Sequence, residues 1–199
     1  KEGGFEVAWR GDALGRVRWV MTGEHDRMNA LAAIAAARHA GIEPAAALEA
    51  LGSFGGVKRR MEVLGKVRGI TVYDDFAHHP TAIRSTLEGL RARVGSDRIV
   101  AVLEPRSNTM RLGVMKDALP PSLAAADLVY LCTKQLDWDA ASVFRAAGRP
   151  ARCEVSVEAL VDALAQEARA GDHVLIMSNG AFGGIHARLL SALEAREGL

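Results

Sequence analysis

The sequence has few cysteines, few aromatic residues and almost no net charge. Two of its 199 residues are cysteine, and aromatic residues make up 5%. Two cysteines do not build a disulfide framework, which favours a reducing compartment, and we expect a cytoplasmic protein. The 25 basic and 24 acidic residues give a formal net charge of +1. We therefore expect no general attraction to nucleic acid or to a membrane surface.

Long apolar runs and two common nucleotide-binding fingerprints are also missing. No run of about 18 apolar residues occurs, so the sequence predicts no membrane-spanning helix. No G-x-G-x-x-G segment follows the first strand, and no phosphate loop ending in Gly-Lys-Ser/Thr is present. The first residue is lysine, and we expect the chain to be part of a longer one.

The alternation of strand and helix patterns from residue 57 onward predicts the fold class. We expect a Rossmann-like, mostly parallel α/β sheet with helices on both faces. The predicted strands lie near 61–67, 70–73, 99–103, 128–132, 152–155 and 173–177. The predicted helices lie near 80–94, 115–124, 138–146, 157–170 and 185–196.

The residues before this alternation have a different pattern. Residues 1 to about 22 alternate apolar and polar side chains around a turn, which predicts a β-hairpin. A helix ending at residue 39 or 40 follows, and a second one is predicted over 44–51. The glycine-rich stretch 52–56 is typical of a domain boundary, so we predict two domains, 1–56 and 57–199.

Acidic and histidine side chains follow the predicted strand that ends at residue 73. Asp75 could accept hydrogen bonds from two hydroxyls of a ribose, whereas the structural alternative is that Asp74 or Asp75 caps the following helix. His78 and His79 could be metal ligands, or one could cap or pack while the other faces a cleft. No further cysteine or histidine cluster completes a tetrahedral set, so we predict no metal site here.

Arginines lie at two places next to predicted strands. Arg59 or Arg60 could bind phosphate through forked donors, or the pair could be a solvated charge run. Arg106 and Arg111 follow the strand ending at 103, where two guanidinium groups suit a ligand with several carboxylates. Their alternative role is to pair with Glu104 and with helix acids.

Two further segments carry possible ligand contacts. Ser178-Asn179-Gly180 begins a glycine-rich turn that enters a helix, where backbone N–H groups can bind an anion, although a plain strand-to-helix turn would look the same. Asn29 follows Asp26 at the start of the first helix. Asp26 could cap this helix, or the amide of Asn29 could recognise a base.

Three segments resemble the Mur ligase family, the ATP-dependent ligases of peptidoglycan assembly. Residues 23–33 are similar to its G-x-H-N-x-x-N-x-L-A-A segment, 54–62 to the arginine segment between its central and C-terminal domains, and 73–81 to a D-D-Y-A-H-H-P segment. Residues 103–111 and 177–186 are more similar to the branch that recycles murein peptides than to the alanine-adding branch, which has Q-P-H-R-Y-x-R.

The resemblance implies a reaction and a set of nucleotide contacts. ATP with Mg²⁺ would phosphorylate the carboxylate of UDP-N-acetylmuramate, and the amine of L-alanyl-γ-D-glutamyl-meso-diaminopimelate would attack the acyl phosphate. Asn29 would contact adenine. Arg60, with Arg59, would contact ribose and phosphates, and Asp75 would hold the ribose.

The resemblance also implies which residues contact the incoming peptide. His78 would be the catalytic residue near the amine, and the substrate contacts would come from His78, Arg106, Arg111, Ser178 and Asn179. UDP-N-acetylmuramate and the murein tripeptide are the expected partners, and we expect a monomer. Residues 1–56 would be the last part of the central ATP-binding domain, and 57–199 the C-terminal domain.

The sequence departs from the family pattern in two respects. Asp26 replaces an asparagine that the family has there, and neither the G-T-x-G-K-T phosphate loop nor the central-domain magnesium ligands occur in the 199 residues. We therefore predict that the chain alone is inactive. The alternatives are a UDP-N-acetylmuramate–L-alanine ligase, a freestanding nucleotide-binding or metal-dependent hydrolase domain, and a non-catalytic interaction module.

Overall fold

The computed structural model describes residues 4–19 and 23–196, and within them the chain forms two compact units. The first unit comprises residues 1–57 and the second residues 58–199. The predicted domain boundary, between residues 56 and 57, lies one residue before the boundary between the two units. The assignment of the first segment to a central ATP-binding domain remains a prediction.

The first unit contains a β-hairpin and two helices. Strands β1 (Gly4–Trp9) and β2 (Asp12–Arg18) pair antiparallel, and helices α1 (Glu24–His39) and α2 (Pro44–Ser53) follow. The hairpin turns at Arg10 and Gly11, which both have positive φ, as a tight two-residue turn requires. The predicted hairpin is confirmed over 4–18, whereas its predicted residues 1–3 and 20–22 lie outside the described residues.

A small apolar core holds the first unit together. Alternate residues of the hairpin and one face of each helix meet there, as the spacing of their apolar side chains dictates. The buried members are Val7, Val17, Trp19, Ala30, Ile34 and Leu48.

The second unit alternates strands and helices. Its strands are β3 (Glu62–Val67), β4 (Ile70–Asp75), β5 (Ile99–Leu103), β6 (Leu128–Cys132), β7 (Arg152–Glu154) and β8 (His173–Met177). Its helices are α3 (Pro80–Val94), α4 (Asn108–Arg111), α5 (Leu119–Ser122), α6 (Ala140–Ala146), α7 (Val157–Glu167) and α8 (Ile185–Ala195). A single 3-10 turn, Phe182–Gly184, precedes α8.

Six strands form one sheet in the order β3-β4-β8-β5-β6-β7. All neighbours pair parallel except β3 and β4, which form an antiparallel hairpin. Side chains alternate across each strand, so that helices α3, α5 and α6 cover one face while α7 and α8 cover the other. The predicted fold class, a mostly parallel sheet covered on both faces, is confirmed.

One predicted helix is much shorter than expected, and one observed helix was not predicted. The helix predicted over 115–124 is reduced to Leu119–Ser122, because Pro120 and Pro121 lack the N–H groups that a longer helix needs. The polar segment 104–111, for which the sequence predicts no helix, contains α4, whose first turn is capped by the Ser107 hydroxyl accepting from Met110 N. A local cap therefore outweighs the polar composition of this segment.

No helix of the described residues combines the length and apolar character that crossing a membrane requires.

A buried ion pair connects the residues that precede β5 and β8. The Asp172 side chain is almost fully buried, and the Arg98 guanidinium donates to its two oxygens over 2.8 and 2.7 Å. Arg169 N also donates to Oδ2 over 2.8 Å. Removing one partner of such a pair leaves an unpaired charge, which costs more than the pair itself contributes.

We predict that Asp172→Asn lowers the free energy of unfolding by about 2 kcal/mol, because Arg98 loses its ionic partner but still partly reaches solvent. Urea unfolding of both proteins measures this value. The matched control is Glu158→Gln, which breaks the solvent-exposed pair with Arg188 and should change stability far less. Equal effects of the two substitutions would contradict the prediction.

Candidate functional site

The carboxyl ends of β4, β5 and β8 lie side by side at one edge of the sheet. Asp75 and Leu103 are both register partners of Met177. The residues that follow these strands, 76–80, 104–111 and 178–184, therefore meet at this edge, which we call the rim. In open α/β sheets the rim is where ligands bind.

Asp75 is buried at the end of β4, and the chain itself occupies both of its oxygens. Oδ2 accepts from Met61 N over 2.9 Å, and Oδ1 accepts from Ala77 N over 2.8 Å and from the Thr86 hydroxyl over 3.4 Å. Burial raises the pKa of Asp75, and these bonds together with the charge of Arg60 counteract it. Because Asp75 is only 2% exposed, this geometry supports a role in fixing the turn before β3, and the ribose contact remains a prediction.

The two histidines after β4 have different roles. The His79 ring Nδ1 accepts from Thr81 N over 3.3 Å and caps α3, whose first residue is Pro80. The His78 ring is half-buried, lies 3.0 Å from Phe76 O through Nδ1, and packs edge-on against the Phe76 ring. The cap of α3 is therefore a histidine and neither aspartate, while the predicted contact of His78 with an incoming amine remains untested.

Arg59 donates hydrogen bonds to three residues of the second unit. Its Nε donates to Asp74 Oδ2 over 3.1 Å, and its Nη2 donates to the carbonyl oxygens of Ser178 and Gly180 over 2.6 and 2.8 Å. Its guanidinium also lies 5.2 Å from the centre of the Phe76 ring. These contacts engage Nε and Nη2 of Arg59 within the protein, and its contact with ribose or phosphate remains a prediction.

Arg60 differs from Arg59 although the two are adjacent. Its side chain is exposed, and its guanidinium lies 5.7 Å from the Phe76 ring centre. Among the described residues it has no hydrogen-bond partner. All side-chain donors of Arg60 therefore remain available to a ligand, whereas Arg59 uses Nε and Nη2 within the protein.

A buried carboxylate and a histidine lie beneath Arg59. Asp74 is 7% exposed, and its Oδ1 lies 3.1 Å from His186 Nε2 at the start of α8. The contact does not meet hydrogen-bond geometry, so neither atom has such a partner among the described residues. Burial lowers the pKa of His186 more strongly than the attraction of Asp74 raises it, and His186 is neutral near pH 7.

Ser178 is fully buried and shapes the glycine-rich turn, residues 178–184. Its hydroxyl donates to Glu104 Oε2 over 2.5 Å and accepts from Gly180 N over 2.9 Å. Because no part of its side chain reaches solvent, this structure does not support the predicted contact between Ser178 and a peptide. Asn179 is half-buried, and its Oδ1 is buried without a hydrogen-bond partner among the described residues.

Arg106 and Arg111 both lie on the rim after β5. Arg106 is exposed and forms no hydrogen bond with the described residues, while its guanidinium packs over Gly180. Arg111, the last residue of α4, donates through Nε to Gln135 O over 3.2 Å. That single bond leaves the Nη groups of Arg111 available to a ligand.

Asn29 lies on α1 in the first unit, where it is exposed. Asp26 lies inside the first turn of the same helix, whose N-cap is Gly23, so Asp26 is not the N-cap residue. No group of three or more histidine, cysteine, aspartate or glutamate side chains that could hold a metal ion occurs in residues 4–19 and 23–196.

The roles of Glu104 and His186 do not follow from the sequence predictions. The sequence offers Glu104 only as an alternative partner of the arginines, yet Glu104 accepts a hydrogen bond from the Ser178 hydroxyl, and its position directly after β5 is a signal of that role. No sequence signal indicates the role of His186. Its neighbour Asp74 lies far away in the sequence, and a single histidine in a helix does not by itself indicate a function.

Comparison with known proteins identifies the family. A model described as Mur ligase, glutamate ligase domain, matches residues 59–180. The UDP-N-acetylmuramate–L-alanyl-γ-D-glutamyl-meso-2,6-diaminoheptandioate ligase of Escherichia coli K12 is 52% identical over 194 residues, covering 96% of this chain. This chain belongs to the Mur ligase family. The ligase of the same name from Haemophilus influenzae is 48% identical over 96% of the chain.

Solved Mur ligase structures have the same fold. A murein peptide ligase from Psychrobacter arcticus covers the whole chain with a TM-score of 0.76 and 40% identity, and the match spans 43% of that protein. A domain of a related ligase from Haemophilus ducreyi matches 67% of the chain with a TM-score of 0.58 and 49% identity, over 99% of its own length. The chain spans 42% and 43% of the two curated relatives.

We predict that the low pKa of His186 makes the second unit less stable in mild acid. The unfolded chain binds a proton at His186 more readily than the native chain does, so the free energy of unfolding falls as the pH drops below about 6.5. Well above that value His186 is deprotonated in both states and contributes no slope.

Urea unfolding of the wild type and of His186→Gln between pH 8 and pH 5 measures this dependence. The two curves should run parallel above pH 7, and the wild type should lose more stability below it. A wild type that keeps or gains stability relative to His186→Gln in acid would contradict the prediction.

Proposed function

We propose that this chain is the acceptor-binding part of an ATP-dependent ligase. The whole protein would join UDP-N-acetylmuramate to L-alanyl-γ-D-glutamyl-meso-diaminopimelate through an acyl phosphate, in the cytoplasm and as a monomer. The observation that carries the proposal is the 52% identity, over nearly the whole chain, to a relative that bears this ligase name. Relatives named UDP-N-acetylmuramate–L-alanine ligase reach 44% and 45%, but over only 56% of the chain.

The available cationic groups of the rim support its assignment as the binding site of the acceptor peptide. Arg106 and the Nη groups of Arg111 are available on the same strand end, where they can bind carboxylates of a peptide. His78 would lie near the attacking amine. A tripeptide with several carboxylates uses two guanidinium groups, whereas free alanine carries only one carboxylate.

Arg60 supports the proposal that this chain also contacts the nucleotide. Its exposed guanidinium would bind ATP phosphates or ribose, while Asp75 fixes the preceding turn through its bond from Met61 N. Asn29 would contact adenine. Mg²⁺ would neutralise phosphate charge during the reaction, but the described residues offer no cluster to hold it, so we assign no residue of this chain to the metal.

We predict that a chimera restores ligase activity whereas the chain alone has none. In the chimera this chain replaces the matched part of the Escherichia coli relative. The rest of the chimera comes from that relative. The measurement is ATP-dependent amide formation with UDP-N-acetylmuramate and the tripeptide, with free L-alanine assayed in parallel.

The control is the 199-residue chain without the rest of the enzyme. A chimera that folds but uses L-alanine in preference to the tripeptide would support the alanine-adding alternative. Amide formation by the chain alone would contradict the assignment of phosphate chemistry to residues outside it.

We predict that Arg60→Ala in the chimera raises the KM for ATP roughly tenfold, because a charge-assisted bond to the nucleotide is lost. The KM for the tripeptide should stay nearly constant. Lys58→Ala removes another exposed positive charge two residues away and is the matched control. If Lys58→Ala and Arg60→Ala raise the KM for ATP by the same factor, the effect is general electrostatics and the assignment of Arg60 fails.

A further inference from the structure

Gly180 lies directly beneath the guanidinium of Arg106. A β-carbon added to Gly180 would lie 2.9 Å from Cζ and 3.1 Å from Cδ of Arg106, and closer still to Nη1. The φ angle of Gly180 is not among the positive values of the chain, so its backbone does not itself require glycine. The close approach of Arg106 is therefore what requires the absence of a side chain here.

The backbone of Gly180 is held on both sides. Its N–H donates to the Ser178 hydroxyl, which in turn donates to Glu104 at the end of β5. Its carbonyl oxygen accepts from Arg59 over 2.8 Å. Gly180 is thus fixed relative to the strand end from which Arg106 extends.

Arg59 is itself held in place, so it can act as a fixed support. Its Nε is paired with the buried Asp74, and its carbonyl oxygen accepts from Phe76 N over 2.8 Å. Its φ of 57° lies in the left-handed region, which a non-glycine residue adopts only where its surroundings enforce it. The guanidinium therefore presents one nitrogen to two carbonyl groups in a fixed position.

We propose that Gly180, supported by Arg59, is a positioning residue that orients the Arg106 guanidinium toward a carboxylate of the acceptor peptide. The inference rests on the proposed function and adds to it a determinant of acceptor specificity. Arg106 forms no hydrogen bond with the described residues that would otherwise fix its direction, and packing on Gly180 reduces the rotamer freedom lost on binding.

The alternative, in which glycine at this position serves only the turn, predicts a different outcome. If glycine serves only the turn, alanine should destabilise the fold. If Gly180 makes room for Arg106, alanine displaces the end of a flexible side chain, so stability is nearly unchanged while Arg106 is misdirected.

The test is a double-mutant cycle with the 199-residue chain and the synthetic tripeptide L-alanyl-γ-D-glutamyl-meso-diaminopimelate, titrated by NMR. We expect Gly180→Ala and Arg106→Ala each to weaken binding roughly tenfold. The double variant should bind no more weakly than Arg106→Ala alone, because both changes remove the same contact. Thermal unfolding of Gly180→Ala should stay close to that of the wild type.

The matched control is Gly52→Ala, at a helical glycine whose added β-carbon would make only ordinary contact, and it should leave binding unchanged. Additive effects in the double variant, or wild-type affinity of Gly180→Ala, would overturn the proposal.

A second measurement separates this proposal from the proposed function. Nuclear Overhauser contacts between the Hα protons of Gly180 and the Hδ protons of Arg106 report the packing without any ligand. A wild type that shows these contacts but does not bind the tripeptide contradicts the proposed acceptor, whereas their absence contradicts the positioning role itself.

Discussion

The rim depends on the guanidinium of Arg59. It joins the end of β4, through Asp74, to the glycine-rich turn after β8, through the carbonyl groups of Ser178 and Gly180. Without Arg59 these carbonyl groups would lose their donor and the buried carboxylate of Asp74 would lose its cation, and buried polar groups without partners are costly. A single side chain thereby fixes two strand ends that lie more than 100 residues apart in the sequence.

The sheet was predictable because its strands are short apolar runs between turn signals. The bounds predicted for residues 99–103, 128–132 and 173–177 match the structure, since burial on both faces requires continuous apolar residues. The short helices were not predictable in this way. Their positions depend on one cap at Ser107 and on two adjacent prolines, and such local effects outweigh the average composition of a segment.

The position of the site was predictable, but the role of each side chain was not. Polar residues after three strands indicate one shared edge, because parallel strands end together. Arg59 and Arg60, however, are indistinguishable in the sequence, and only the distant carbonyl groups of the glycine-rich turn separate them. Ser178 looks like a surface hydroxyl in the sequence, yet it is fully buried because Glu104 and Gly180 bond to it.

The carboxylates at and next to the rim are all engaged by the chain, whereas two of the arginines there are not. The carboxylates of Asp74, Asp75 and Glu104 each accept hydrogen bonds from the chain, whereas Arg60 and Arg106 are exposed and make none with the described residues. The carboxylates therefore stabilise the local backbone and side chains, and the positive charges of Arg60 and Arg106 remain exposed to solvent. A nearly neutral chain can in this way present a cationic surface to anionic ligands, which its overall composition does not reveal.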